Sequence, residues 1–498
     1  MDIKMDSSSI MLQFTTFANV IDGKVTKLDP QSSRFTLNPA TLERNPEVPI
    51  TTNEEVDTAV SAARRAAKTW ATLSWKERRN AIVDFSSALE ANSEGFAEML
   101  VREQGKTLHE ARGEVYLSAQ FLRGTSSLEL SEQVVDRSDK REVVKRYTPL
   151  GVAVVIVPWN YPIFLACQRI GQALLTGNTV ILKSSPFAPY CDLKGNCSAL
   201  PSTYNSLAEL GMHFFPPGVF QALSGEDDLG PILTAHRGVD VVTFAGSVGA
   251  GKRVMETCSK TLKRVILELG GNDPAIVCAD VDVIAVAGAV AYLSFANSGQ
   301  ICTLPKRIYV HESIYDSFLE AMATYAKNLK LDTTETIAIG PVSNEAQFER
   351  VISLLADTET NKLVIAAGST QPLNDPDRPG FFLLPTVVDN PPDTARVVVE
   401  EPFGPIIPVM KWTDEAEVIE RANETQYGLG ASVWSRDAEQ AGRIARQLQA
   451  GSVWLNTHAE LDARIPFGGT KYSGFGVEGG LEGLKGYCNV QTIWSRLA

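Results

Sequence analysis

The chain has 498 residues, 44% of them hydrophobic and 21% charged, so it is too long for one hydrophobic core and has the composition of a globular protein of two or three domains. A formal net charge of -13, with no Lys and Arg cluster interleaved with aromatics, argues against nucleic acid as a partner. No apolar run is long enough to span a membrane; the longest, Val283 to Ala296, reads as a buried helix.

The opening MDIKMDSSSIML fits neither a secretory nor a mitochondrial signal, and the final SRLA runs one residue past a peroxisome-like tripeptide, so a cytoplasmic location is expected. Residues 54 to 124 carry apolar positions at three- and four-residue steps, which predicts helices. From Gly151 the pattern becomes short β-branched runs alternating with helices: GVAVVIVPW, then YPIFLACQRIGQALLTG, NTVILKSS, and later VDVVTFAGS before VGAGKRVMETCSK. That alternation predicts an α/β fold with a doubly wound parallel sheet, which binds its ligand at the carboxyl ends of its strands. A second βα series from Asp273 to about Val477 predicts a second α/β domain. RSDKREVVKRYTPLG and the terminal NVQTIWSRL read as strands, each either a pairing edge for another subunit or a charge-protected edge.

Seven cysteines, at 167, 191, 197, 258, 278, 302 and 488, form no CxxC pair and have no histidine at ligand spacing, so reduced thiols and no metal are expected. Three segments carry chemistry. PWNYP (158–162) ends a buried strand, where Asn160 either aims an amide N–H at an oxyanion or merely caps the next helix. LELGG (267–271) and GQIC (299–302) offer Glu268 and Cys302 from two domains; apolar neighbours make Glu268 a competent base, and Gly299 gives a substrate room to approach. Against this, a cysteine in apolar surroundings is ordinarily inert, and the other thiols are read that way. FAGSVGAGKR (244–253) lies at a strand-to-helix junction suited to a phosphate. It nearly spells the loop of a nucleoside triphosphatase, but Arg253 stands where a magnesium-binding hydroxyl is needed, so the glycines suit a dinucleotide pyrophosphate better. Lys183, closing NTVILK, either reaches a ribose or phosphate or is a solvated strand end.

Together these motifs make the chain resemble the aldehyde dehydrogenase superfamily along nearly its whole length, from NPAT (38–41) and EQGKTL (103–108) to EEPFGP (400–405) and PFGGTKYSGFG (466–476). The resemblance implies oxidation of an aldehyde to a carboxylic acid with NAD or NADP. It makes Cys302 the nucleophile that forms a thiohemiacetal and then a thioester, Glu268 the base that hydrolyses it, and Asn160 with the Cys302 backbone N–H the oxyanion hole. Trp159, Lys183, Gly246, Ser247, Leu269 and Gly270 are expected at the cofactor, with Glu401 and Phe403 at its nicotinamide ribose and ring. Residues 1–134 and 150–268 are expected to form the NAD(P)-binding domain and 269–477 the catalytic domain. Residues 135–149 and 478–498 are expected to be bridging segments of a homodimer or homotetramer. A catalytically dead relative is disfavoured by the intact Asn160, Glu268, Cys302 and Glu401.

Three departures matter. Many NAD-preferring relatives have a glutamate three positions after the lysine equivalent to Lys183; Pro186 stands there, and loss of that carboxylate predicts that NADP is tolerated and NAD is held weakly. The segment GNCSALPSTYNS (195–206) exceeds the expected length and is either a surface loop or a retained intron; without it, Leu193, Leu207 and Leu210 would share one helix face. The substrate is not spelled out. Tyr161, Leu165, Ile301, Thr303 and Leu461, placed by proximity to the motifs, make an apolar lining for an uncharged aliphatic or aromatic aldehyde. Arg464, either a carboxylate clamp or an exposed loop residue, keeps an omega-carboxylated semialdehyde as the alternative.

Overall fold

The computed structural model describes residues 14–197, 206–334, 338–373, 375–376 and 378–497. Four helices, Asn53–Trp70, Trp75–Ala91, Ser93–Gln104 and Leu108–Ser126, occupy the stretch read as helical. Three of them start at a reciprocal cap, Thr52 with Glu55, Ser74 with Glu77 and Thr107 with Glu110, which satisfies the backbone donors that a helix start leaves open. Their apolar faces pack on the first sheet, where Ile82, Phe85, Leu89 and Leu122 join one core with Ala153, Val155 and Leu182.

That first sheet has eight strands. Its five parallel members lie in the order Arg264–Glu268, Val241–Ala245, Val152–Ile156, Thr179–Lys183, Phe220–Leu223. The last four are buried at every residue, because helices cover both faces. The chain runs outward from Val152–Ile156 on one side, then crosses to build the other side from Val241–Ala245. The order therefore reverses between these two neighbours, and a crevice opens at their carboxyl ends. A seven-stranded sheet, parallel except at the Val364–Ala367 edge, follows from Asp273–Val277 onward. Only four residues, 269 to 272, separate the end of strand Arg264–Glu268 from its first strand, so Glu268 sits at the seam between the sheets. The strand Gly474–Phe475 crosses back and pairs with Leu267 and Glu268.

The two terminal-type β segments pair with each other: Arg141–Pro149 lies antiparallel between Cys488–Arg496 and Gln133–Arg137 in a three-stranded sheet. The helix Val283–Phe295 is only half buried, which corrects the expectation of a buried helix. It packs against Tyr315–Asn328 on one face while Ile284 and Tyr292 are 71% and 57% exposed. Among the described residues no helix is long and apolar enough to cross a membrane. Residues 198–205, the centre of the extra segment, lie outside the described residues. On its flanks Lys194–Cys197 pairs with Phe14–Ala18, and Leu193, Leu207 and Leu210 all enter the first core.

Candidate active site

A cavity of about 330 Å³ occupies the crevice at the reversal point, and Asn160, Glu268 and Cys302 all line it. They arrive on three segments: the turn after Val152–Ile156, the last residue of strand Arg264–Glu268, and the loop between the helix Val283–Phe295 and the strand Pro305–His311. Cys302 is half-buried, whereas Cys167, Cys191, Cys258, Cys278 and Cys488 are buried; all six are free.

The Cys302 Sγ donates to Glu268 Oε1 at 3.5 Å. Burial pushes the thiol well above its ordinary value, the Glu268 charge adds to the rise, and Lys306 opposes it. The resting thiol is therefore held protonated, with its hydrogen bond directed at Glu268. Glu268 is itself buried and held from behind: Arg169 Nη2 donates to its Oε2 at 2.7 Å. Arg169, fully buried, also bonds Thr243 Oγ1 at 3.1 Å and pairs with Glu478 at 3.4 Å. Sequence analysis missed Arg169. The signal was a lone charge in the apolar run YPIFLACQRIGQALL, whose helix Pro162–Leu175 is buried throughout and must pair any charge it carries.

Asn160 does not cap that helix; its Nδ2 donates to the Gln300 carbonyl at 3.0 Å. Its own carbonyl accepts from Lys106 Nζ at 2.9 Å and Asn297 Nδ2 at 3.2 Å. Lys106 is ion-paired to Glu114 in full burial, and Glu114 in turn accepts from the Ile163 and Phe164 amides at the start of the helix. The Asn160 turn is thus braced from beneath and tied directly to the cysteine loop. That loop turns through three left-handed residues, Asn297, Ser298 and Gly299 at φ 47°, 58° and 72°. A Cβ on Gly299 would meet the Gly404 carbonyl oxygen at 2.3 Å. Glycine is therefore required there by the turn and by the EEPFGP loop packed on it, not by substrate approach.

Trp159, Leu165, Gly246, Ser247, Leu269 and Gly270 line the same cavity, as do Glu401 and Phe403. Glu401 Oε1 accepts from the Gly271 amide at 3.2 Å and lies 3.3 Å from Lys306 Nζ. Burial raises the Glu401 carboxyl and Lys306 pulls it down. A Cβ on Gly270, the first glycine of the GG pair, would meet Glu401 Oε2 at 2.3 Å, so the bare position leaves Glu401 room to dock as it does. Phe403 sets its ring edge-on to Trp159, with centroids 5.4 Å apart. Lys306, buried and also missed, donates to the Gly271 and Cys302 carbonyls at 2.9 and 2.5 Å.

A second cavity of about 480 Å³ shares Trp159, Gly246 and Ser247 with the first and ends at Lys183, which is 4% exposed and so is not a solvated strand end. Between the two cavities Ser247 caps the helix Val248–Ser259, accepting the Ala250 amide at 3.3 Å, so the positive end of a helix opens onto the shared wall. A bipartite, diphosphate-bridged ligand fits this arrangement: reactive groups at one end, a helix terminus in the middle and a buried cation at the other.

Of the remaining predicted positions, Tyr161, Ile301, Thr303 and Leu461 do not line the catalytic cavity. The Tyr161 ring receives Lys106 Nζ at 3.7 Å, and Leu461 packs against the first core. Ile301 is half-buried, while Thr303 is buried and gives its hydroxyl to Asp273 at 3.1 Å. Arg464 is committed to Asp462, with contacts of 2.9 and 2.6 Å.

The model of the aldehyde dehydrogenase family matches residues 28–493. Aldehyde dehydrogenase LUC3 of Fusarium sp is 38% identical over 483 residues, spanning 97% of this chain and 99% of that protein. The NAD+ complex of aldehyde dehydrogenase from Bacillus cereus superposes with a TM-score of 0.89 at 31% identity, covering 97% of each chain. The NADP complex of 3,6-anhydro-L-galactose dehydrogenase superposes with a TM-score of 0.89 at 28% identity, covering 96% of this chain and 99% of that one.

Proposed function

The chain belongs to the aldehyde dehydrogenase family, oxidoreductases acting on aldehydes with NAD or NADP, and from that premise we propose that Cys302 is its covalent nucleophile and Glu268 the base that releases the acid. The observation that carries this reading is the Cys302 Sγ to Glu268 Oε1 contact of 3.5 Å inside the cavity that Asn160 also lines. Cys302 attacks the aldehyde carbonyl carbon as the thiolate, its proton released to solvent, and the carbonyl π electrons move to oxygen. The Asn160 amide, whose other N–H is anchored on Gln300, and the Cys302 backbone N–H hold that oxyanion without titrating. When bound, the nicotinamide supplies the hydride acceptor that converts the thiohemiacetal into a thioester. Glu268 then draws a proton from water, the hydroxide attacks the acyl carbon, the C–S bond breaks, and the carboxylic acid leaves as the thiol is restored.

Gly246 and Ser247 with the helix terminus would hold the pyrophosphate, Trp159, Leu269 and Gly270 would pack the nicotinamide half, Glu401 and Phe403 would place its ribose and ring, and Lys183 would face the adenosine end. Residues 150–268, with the described part of 1–134, would form the cofactor-binding domain, and 269–477, which carry Cys302, Glu401 and Phe403, the catalytic domain. The substrate is an uncharged aliphatic or aromatic aldehyde; the engagement of Arg464 by Asp462 leaves the semialdehyde alternative without its carboxylate clamp. The three-stranded sheet bridges subunits of a homodimer or homotetramer, a reading supported by the exposure of Val134, Val135, Val490 and Trp494 on it. A cytosolic home is supported by six free cysteines. The experiment is turnover of an apolar aldehyde followed by reduced-nicotinamide absorbance: Cys302→Ala should abolish it, and an unimpaired variant would refute the reading.

A further inference from the structure

The far end of the second cavity brings two charges of opposite sign together by sheet register. Strands Thr179–Lys183 and Phe220–Leu223 are parallel neighbours with Lys183 opposite Leu223, so the segments that leave them rise side by side. One carries Pro186, the other Asp227, and both line the cavity with Lys183. Lys183 is buried, and among the described residues no carboxylate lies within ion-pair distance of it. Burial lowers its ammonium to about 8, Arg34 adds to the fall, and Asp227 and Asp228 pull it back. Pro186 contributes no polar side-chain atom, so the loss of a carboxylate at that position, read from sequence, is not a loss to the cavity: Asp227 enters the same wall from the neighbouring strand.

With the reactive groups at Cys302 and the helix terminus at Ser247 in the middle, a dinucleotide laid along both cavities puts its adenosine ribose beside Lys183. A ribose diol is held by an acceptor and a cation together, whereas a 2'-phosphate brings about two negative charges into the same space. We propose that Asp227 is the specificity-determining residue at the adenosine ribose, accepting from its hydroxyls and repelling a 2'-phosphate, so that this chain selects NAD over NADP. Arg253 lines the same cavity and Arg34, bonded to the Pro186 carbonyl, stands beside it; both work the other way, so Asp227 is the opposing charge whose removal should tip the balance. This assignment rests on the use of NAD or NADP, and it runs opposite to the expectation drawn from Pro186, that NADP is tolerated and NAD is held weakly.

The test is binding without turnover. NAD and NADP are titrated separately into the full-length protein with no aldehyde present, following tryptophan fluorescence, since Trp159 lines both cavities. Wild type should bind NAD at least about tenfold tighter than NADP, and Asp227→Asn should narrow that ratio by about tenfold through tighter NADP and weaker NAD. Asp227 is exposed, so the variant should fold, and an unchanged melting temperature checks it. If both cofactors bind and the Asp227→Asn ratio stays within about twofold of wild type, the assignment is overturned while cofactor use stands. If neither cofactor binds, the assignment falls together with the cofactor reading.

Discussion

Arg169 and Glu268 form a buried ion pair, Nη2 to Oε2 at 2.7 Å, which leaves the other carboxylate oxygen of Glu268 facing the Cys302 thiol at 3.5 Å. One oxygen is anchored and one is available. A carboxylate free to rotate would sample positions in which it could reach neither the thiol nor a water at the acyl carbon, so the anchor converts a buried acid into an aimed one.

Replacing Arg169 with Met removes the counter-charge of both Glu268 and Glu478 and should cost about 3–5 kcal/mol of stability, because two carboxylates are left buried and unpaired. Arg169→Lys keeps the charge but loses the Thr243 bond and should be milder. Denaturant unfolding gives the stability order wild type, Lys, Met. Rapid mixing should show acyl-enzyme hydrolysis slowed in Arg169→Lys; equal hydrolysis rates would remove the positioning role.

The Cys302 thiol is held protonated by burial first and by Glu268 second. Its reactive thiolate fraction therefore grows as pH rises, and alkylation by iodoacetamide in the absence of cofactor should be slow at neutrality and accelerate throughout the alkaline range. Glu268→Gln removes the repelling charge, so at a given pH that variant should alkylate faster. Peptide mapping should place the label on Cys302, the half-buried member of the described cysteines.

Glu103, fully buried beneath the Tyr190 and Cys191 amides, has its carboxyl raised to about 7 by burial, against an ordinary value of 4.5. The folded state thus binds a proton that the unfolded chain has released between those two values. Its contribution is fully present below pH 4.5 and is lost as pH rises through 7, an effect of about 3 kcal/mol at most. Glu103→Gln should flatten the stability profile between pH 5 and 8, measured by urea unfolding at each pH; an identical slope would contradict it.

Arg464 is spent on Asp462, whose carboxyl it holds down near 2. An apolar aldehyde should therefore exceed its omega-carboxylate analogue in kcat/KM by at least about tenfold, and Arg464→Ala should change that ratio by less than about fivefold, the worth of an exposed ion pair. Preference for the carboxylated analogue, abolished by Arg464→Ala, would restore the semialdehyde alternative.

What the sequence made legible was local. PWNYP, LELGG and GQIC each sit at the end of a strand or an apolar helix, so their position above a sheet followed from pattern alone, and so did the βα alternation of both domains. Partnerships across the chain were not legible. Arg169 reaches Glu268 over 99 residues and Lys106 reaches Asn160 over 54, and neither distance leaves a trace in periodicity. The pairing of Cys488–Arg496 with Arg141–Pro149 is equally remote. Gly299 was correctly marked as necessary but for the wrong reason, because the Gly404 carbonyl that crowds it lies on a distant loop. The nearness of Asp227 to Lys183 is equally silent in the sequence, because it depends on the register of two strands about 40 residues apart.

The most direct measurement is intact and peptide mass spectrometry of the Glu268→Gln variant quenched within one turnover of aldehyde and NAD. The predicted result is one acyl group per chain on the peptide that contains Cys302, formed with a matching burst of reduced-nicotinamide absorbance and lost slowly. No acyl adduct, or an adduct on any other residue, with steady turnover undiminished, would contradict the covalent account.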